Sequence, residues 1–322
     1  MNKKKALALS FSLVFLALAA FVFLNFSTLK DFFVGLGYEP SAEMSAIKEN
    51  LALTKKSDLI FKATFPTLEE DSDFNRDCDS HNSEISVLGC FSSDRIYIYN
   101  IKSSELSGIL ESTTAHELLH AIWSRLKGAE KAALTPTLER VYANNRESLE
   151  ETLSTYSEED RLDELYVRVG TQIRSLPEDL ETHYSKYFSD RSKIVAFYES
   201  YIAPFNELKE KIDAQAKALE ELKSEIDAET EKYEEESAAF NKSVNNFNSC
   251  ANTLNCFSES AFYARRRQLL AEEEELNIMF EKLNTKIDEY NSKVEEYNKN
   301  VLKSNSLQSV INSNSAPAEL TE

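Results

Sequence analysis

Two runs of apolar residues, spaced at alternating steps of three and four, occupy the C-terminal third of this chain and restrict its architecture more than any other feature. The outward run is Leu208, Ile212, Leu219, Leu222, Ile226, Tyr233, Phe240, Val244 and Phe247, interrupted at Gln215, Glu229 and Glu236. The return run, Leu276, Phe280, Leu283, Ile287, Tyr290, Val294, Tyr297 and Val301, is unbroken. Such steps average the 3.5-residue repeat of a coiled coil. The stretch between them, NNFNSCANTLNCFSES at residues 245–260, is rich in Asn and Ser and holds Cys250 and Cys256. A polar turn between two heptad runs predicts an antiparallel hairpin over 205–302, on the order of 60 Å long at 1.5 Å per residue, with a disulfide at its tip. Separate helices packed on a neighbouring domain, or a parallel dimer seam, are the alternatives.

The other end of the chain is equally one-sided. Lys3, Lys4 and Lys5 precede ALALSFSLVFLALAAFVFLNF, residues 6–26, which carries no charge and would span roughly 31 Å as a helix, about one hydrocarbon core. The basic flank keeps the N-terminus in the cytoplasm. Residues 1–27 are therefore expected to be a single-pass transmembrane signal anchor, with the bulk of the chain outside the cytoplasm. Ala17, Leu18 and Ala19 offer the competing outcome, a signal peptide cleaved near Ala19 and a secreted protein. Four cysteines in an exported chain read as two local disulfides, Cys78 with Cys90 and Cys250 with Cys256, although His81 leaves zinc as an alternative for the first pair. A formal charge of −19 argues against nucleic acid as a partner, because only the short basic runs at 3–5 and 265–267 could meet a phosphate backbone.

Between anchor and hairpin the pattern changes repeatedly. Residues 28–58 look like a juxtamembrane helical linker, broken near Pro40. Over 59–204 a compact domain is expected: LIFKATF is a candidate strand, EISVLGCF and DRIYIYNI alternate at period two, and long helices begin near Ile109. Residues 303–322, poor in apolar side chains, are expected to be disordered. Six glycines and six prolines in 322 residues favour helix over turn-rich β structure. The fold class is α+β, mostly α.

Within the compact domain stands TTAHELLHAIW, residues 113–123, which holds two of the chain's four histidines. On a helix, positions i and i+4 share one face, so His116 and His120 could bind one metal ion, with Glu117 on the flank as general base toward a water. Zn²⁺ suits two neutral imidazoles and an open position. The competing view is a leucine-rich core helix that happens to carry two imidazoles.

HELLH on an amphipathic helix, behind the candidate edge strand RIYIYNI, resembles the zincin metallopeptidases, whose edge strand pairs with an extended substrate. The resemblance covers about 140 residues. It is not of the metzincin type, which needs Gly and His where this chain has Trp123 and Leu126. It implies a gluzincin-like site with a glutamate from a later helix as third ligand, and Glu164 is the candidate. This residue lies among Leu162, Leu165, Val167 and Val169, where a carboxylate is costly to bury without a cation; Glu158, Glu159 and Asp163 look like a solvated first turn. His183 is an alternative ligand, or by default a half-exposed helix residue, and His183, Tyr166, Arg168 and Tyr184 are candidate transition-state stabilisers. The wider pattern is similar to a poorly characterised group of bacterial membrane-anchored proteins that join such a core to a coiled-coil tail. Two functions are then expected to compete: a zinc endopeptidase acting on a peptide or protein substrate outside the cytoplasm, and a non-catalytic envelope scaffold that binds a protein partner through its coiled coil.

Overall fold

The computed structural model of the chain describes residues 26–78, 88–253 and 256–312. They divide into two compact units, one running up to Pro204 and including the stretch from Leu307, the other spanning Phe205–Ser306. The chain is mostly helical, with one three-stranded sheet and two long helices.

The first unit opens with α1 (Phe26–Gly35), α2 (Ala42–Asn50) and α3 (Lys55–Ala63). These are not a linker. Met44, Ile47 and Leu51 of the α2 stretch are buried in the main apolar core beside Phe61 of α3. LIFKATF is helix and not strand: Thr54 caps α3 by accepting the Ser57 amide, and Ser57, Ile60 and Phe61 bury one face at helical spacing.

Among the described residues no helix is long and apolar enough to cross a membrane, which corrects the expected single-pass anchoring. Helix α1 has ten residues, about 15 Å at 1.5 Å each, and buries Asp31. The apolar run at 6–25, with the cleavage site near Ala19, lies outside the described residues.

The sheet contains β1 (Thr67–Glu69), β2 (Gly89–Ser92) and β3 (Arg95–Tyr99), in the order β1-β3-β2. Strand β1 runs parallel to β3 and β2 antiparallel to it. RIYIY is therefore the central strand and not the edge, which fits the complete burial of Ile96 and Ile98. The edge strand that packs against the helix Ile109–Arg125 is β2. Ser93 and Asp94, both at positive φ (53° and 62°), form the two-residue turn whose twist matches a hairpin. Between β1 and β2, α4 (Asp71–Asp77) ends at Cys78, which is disulfide-bonded to Cys90 of β2. His81 and the start of EISVLGCF lie outside the described residues.

Then follow α5 (Ile109–Arg125), α6 (Gly128–Asn144), α7 (Arg146–Leu153), α8 (Glu158–Gln172) and α9 (Glu178–Tyr184), and α10 (Arg191–Ala251) begins within this unit. Leu118, Leu119 and Ile122 of α5 meet Leu165 and Val169 of α8 in the core. The two helices approach closely because Gly170 has no side chain: a Cβ there would lie 2.6 Å from Leu119 Cδ1 and 2.7 Å from the Tyr184 ring. That approach positions the functional site.

The second unit is the hairpin of α10 and α11 (Glu259–Val310), joined at the tip by the Cys250–Cys256 disulfide. Its limbs are antiparallel: Gln215 pairs with Asn300, Glu229 with Lys286, Tyr233 with Phe280 and Phe247 with Phe262. Two of the interruptions in the outward seam are thereby explained. Gln215 accepts a 2.8 Å bond from the amide of Asn300, itself buried, and Glu229 accepts from Lys286 at 2.8 Å. Polar partners at single seam positions fix register. The tail at 303–310, expected to be disordered, continues α11, with Leu307 buried; residues 313–322 lie outside the described residues.

Candidate metal centre

Helix α5 carries His116 and His120 on the same side, with the Nε2 atoms 3.3 Å apart. Helix α8 brings Glu164 against them, its Oε2 3.3 Å from His120 Nε2 and 3.7 Å from His116 Nε2. Among the described residues this is the group of His, Cys, Asp or Glu side chains that could hold a metal ion. Glu164 is 1% exposed, and neither carboxylate oxygen has a hydrogen-bond partner. A carboxylate buried this way needs cations to remain. Burial alone would raise its pKa, but His116, His120 and Arg168 outweigh it and hold the carboxyl well below its ordinary range.

Sequence reasoning passed over Asp163. It accepts a 2.9 Å bond from His120 Nδ1, which fixes the ring orientation and directs Nε2 toward Glu164. Burial pushes the His120 pKa down, yet Asp163 and Glu164 more than offset this and raise it well above 6.5. Metal binding at this ring therefore displaces a proton. The Asp163–Glu164 pair is the only sequence signal: adjacent acids on one helix cannot both face the same donor, but they can serve opposite ends of one imidazole.

Beside the donors lies a cavity of about 370 Å³, walled by His116 and Glu117 of α5, by Leu88 and Gly89, by Arg168, Thr171 and Gln172 of α8, and by Tyr198 and Tyr201 of α10. Glu117 is buried at its wall. Gly89 is needed here, since a Cβ would come within 2.9 Å of Glu117 Cγ and 2.8 Å of Thr113 Cγ2. Strand β2 thus lies directly on the HELLH turn. Its even-numbered residues pair with β3, as the Tyr99 amide donation to Leu88 shows; Gly89 and Phe91 therefore direct N–H and C=O to the edge that no strand pairs among the described residues.

Of the four residues expected to stabilise a transition state, one reaches this cavity. Arg168 lines it, with Nε 2.5 Å from Glu164 Oε1. Tyr166, Tyr184 and His183 are buried elsewhere, in an aromatic cluster with Trp123 and Tyr187. Tyr166 donates its hydroxyl to His183 Nε2 at 3.0 Å, and Tyr184 donates to the Tyr166 carbonyl at 2.6 Å. His183 is a core residue and not a third ligand. Tyr198 and Tyr201, which no motif marks, take the cavity wall instead; burial raises the Tyr198 pKa, so its hydroxyl keeps its proton.

The burial of His183, helped by Lys186 and Lys56, pushes its pKa down to about 4. The folded value lies below the unfolded one near 6.5, so the stabilisation is complete above pH 6.5 and is lost as pH falls toward 4. We expect a loss of about 3 kcal/mol across that window from this group alone. Urea midpoints at pH 7 and pH 4.5 should diverge less in His183→Leu than in the native chain; equal divergence would contradict the assignment.

No known protein family, curated protein or solved structure matches this chain.

Proposed function

We propose that the chain is a zinc-dependent peptidase in which His116, His120 and Glu164 hold the ion and Glu117 is the general base. The observation that supports this most is the donor triangle, with edges of 3.3, 3.3 and 3.7 Å. A tetrahedral ion with bonds of 2.0–2.1 Å sets its donors about 3.3–3.4 Å apart, whereas octahedral bonds of that length set neighbouring donors about 3.0 Å apart. The spacing favours tetrahedral Zn²⁺ over the iron that the same two-His, one-carboxylate set can also bind.

Zinc in such a site acts as a Lewis acid toward water and a substrate carbonyl. The chain's own residues do the rest. Glu117, buried beside the donors, takes a proton from the attacking water as its oxygen adds to the carbonyl carbon, and returns that proton to the amine as the C–N bond breaks. Asp163 holds the His120 ring in place. The free backbone groups of Gly89 and Phe91 pair with an extended peptide, which the cavity then receives side chain first.

Metal content by mass spectrometry tests the reading. One zinc per chain is expected in the native protein and in Glu117→Ala, and its loss in Glu164→Ala. A native chain that takes up no zinc on reconstitution at neutral pH would remove the proposal.

A second reading, a scaffold that binds a protein through the hairpin, is favoured by the tip. There Phe247, Phe257 and Phe262 cluster with ring centroids 5.1–6.4 Å apart, Tyr263 is 49% exposed, and Arg265, Arg266 and Arg267 follow. Arginine and aromatics are the side chains that interfaces concentrate.

A further inference from the structure

The two oxygens of Glu164 face different partners. Oε2 is the one directed at the imidazoles, 3.3 Å from His120 and 3.7 Å from His116. Oε1 lies 2.5 Å from Nε of Arg168, four residues further along α8. The imidazoles on one side and the guanidinium on the other orient this carboxylate. Arg168 sits on the cavity wall with its side chain 16% exposed, and its guanidinium remains charged at any working pH.

From this division of the carboxylate we infer that Arg168 is a positioning residue: by occupying Oε1 it restricts Glu164 to binding the ion through Oε2 alone. The inference rests on the metal site proposed above. An ion that drew on both oxygens would have to move toward Oε1, and so toward the guanidinium, against like charge. A carboxylate ligand that binds through one oxygen keeps the coordination number low and a position open for water, as a catalytic site requires and a closed one does not. Arg168 therefore acts on the metal site through Glu164 and not on the substrate, although it was the one candidate stabiliser to reach the cavity. The second acid of the helix does the complementary work, since Asp163 fixes a histidine while Arg168 fixes the glutamate. In this way α8 supplies one ligand and the supports for two.

Cobalt substitution reads this directly, because the visible bands of Co²⁺ weaken as the coordination number rises from four to five. The full-length chain is loaded with Co²⁺ alone, with circular dichroism confirming the fold of each variant. The native chain should give intense four-coordinate bands. Arg168→Met should lower the molar absorbance as Glu164 turns to offer both oxygens, and weaken zinc binding about 10- to 100-fold, as loss of a supporting group does. Arg168→Lys should restore most of the native spectrum, a recovery that a purely packing role would not produce; Arg168→Gln replaces the Met variant if that one does not fold. A native spectrum in the folded neutral variant would overturn the inference while leaving the metal site standing. A native chain that binds no Co²⁺ and no Zn²⁺ would overturn the metal site itself.

Discussion

Glu117→Gln should lower peptide hydrolysis by about 10²–10⁴-fold, the range that a positioned general base contributes, and should leave the metal in place. Glutamine matches glutamate in size, so the close packing of Glu117 against Gly89, where a Cβ would come within 2.9 Å of Glu117 Cγ, survives. What disappears is the ability to take a proton. Glu117 is 5% exposed and lines the cavity next to His116, so bulk water offers no substitute base. The donors are on other residues, so zinc content should match the native protein. Turnover of a mixed peptide library, measured with metal content on the same preparation, separates the outcomes. An unchanged rate with metal retained would remove Glu117 from the chemistry; loss of both would show that it acts on the fold.

The second large effect is on stability and lies at the far end of the same helix. Arg125, the last residue of α5, donates from Nε and a terminal nitrogen to the carboxylate of Asp31 on α1, and from the other terminal nitrogen to the Ala121 carbonyl. Both side chains are largely buried, at 14% and 6% exposed. Asp31→Ala leaves the more distant Asp94, at 3.6 Å and half exposed, as the acidic partner of the guanidinium among the described residues. Breaking a buried pair from one side costs about 3–5 kcal/mol, and the remaining contact to Asp94 places this case near the lower limit. Asp94→Ala removes instead an exposed pair with Lys30 and the 3.6 Å contact to Arg125, which keeps Asp31, and the cost is about 0–1 kcal/mol. Urea denaturation of the two variants should show that contrast. Comparable small shifts would mean that water reaches Arg125 and the pair is a surface one.

The hairpin and the HELLH helix were legible in the sequence because each depends on periodicity along a single element. Glu164 was legible for a related reason: an acid inside an apolar helix has to be accounted for. Asp163 was misread because solvent exposure was inferred from its place in the first turns of α8, whereas a partner 43 residues earlier gives it a role. LIFKATF was misread as a strand because seven residues are too few to separate the two periods, and the deciding group, the Thr54 cap, lies outside the apolar run. Sheet order was hidden for a different reason. RIYIY alternates like an edge strand, but β1, at three residues, is too short to leave a pattern, and it is β1 that turns RIYIY into the centre. His183, which as a lone histidine reads by default as a half-exposed helix residue, is instead buried, because its partner Tyr166 reaches it from another helix.

The close approach of α5 and α8 over Gly170 has a thermodynamic consequence. All three donors and both of their supports come from these two helices, so an ion between them would act on the folding equilibrium as a cross-link spanning the 44 residues from His120 to Glu164. Free metal at 1,000 times its dissociation constant would then add about 4 kcal/mol to unfolding. The same ion that serves the chemistry would make the persistence of the folded chain depend on the metal content of its surroundings.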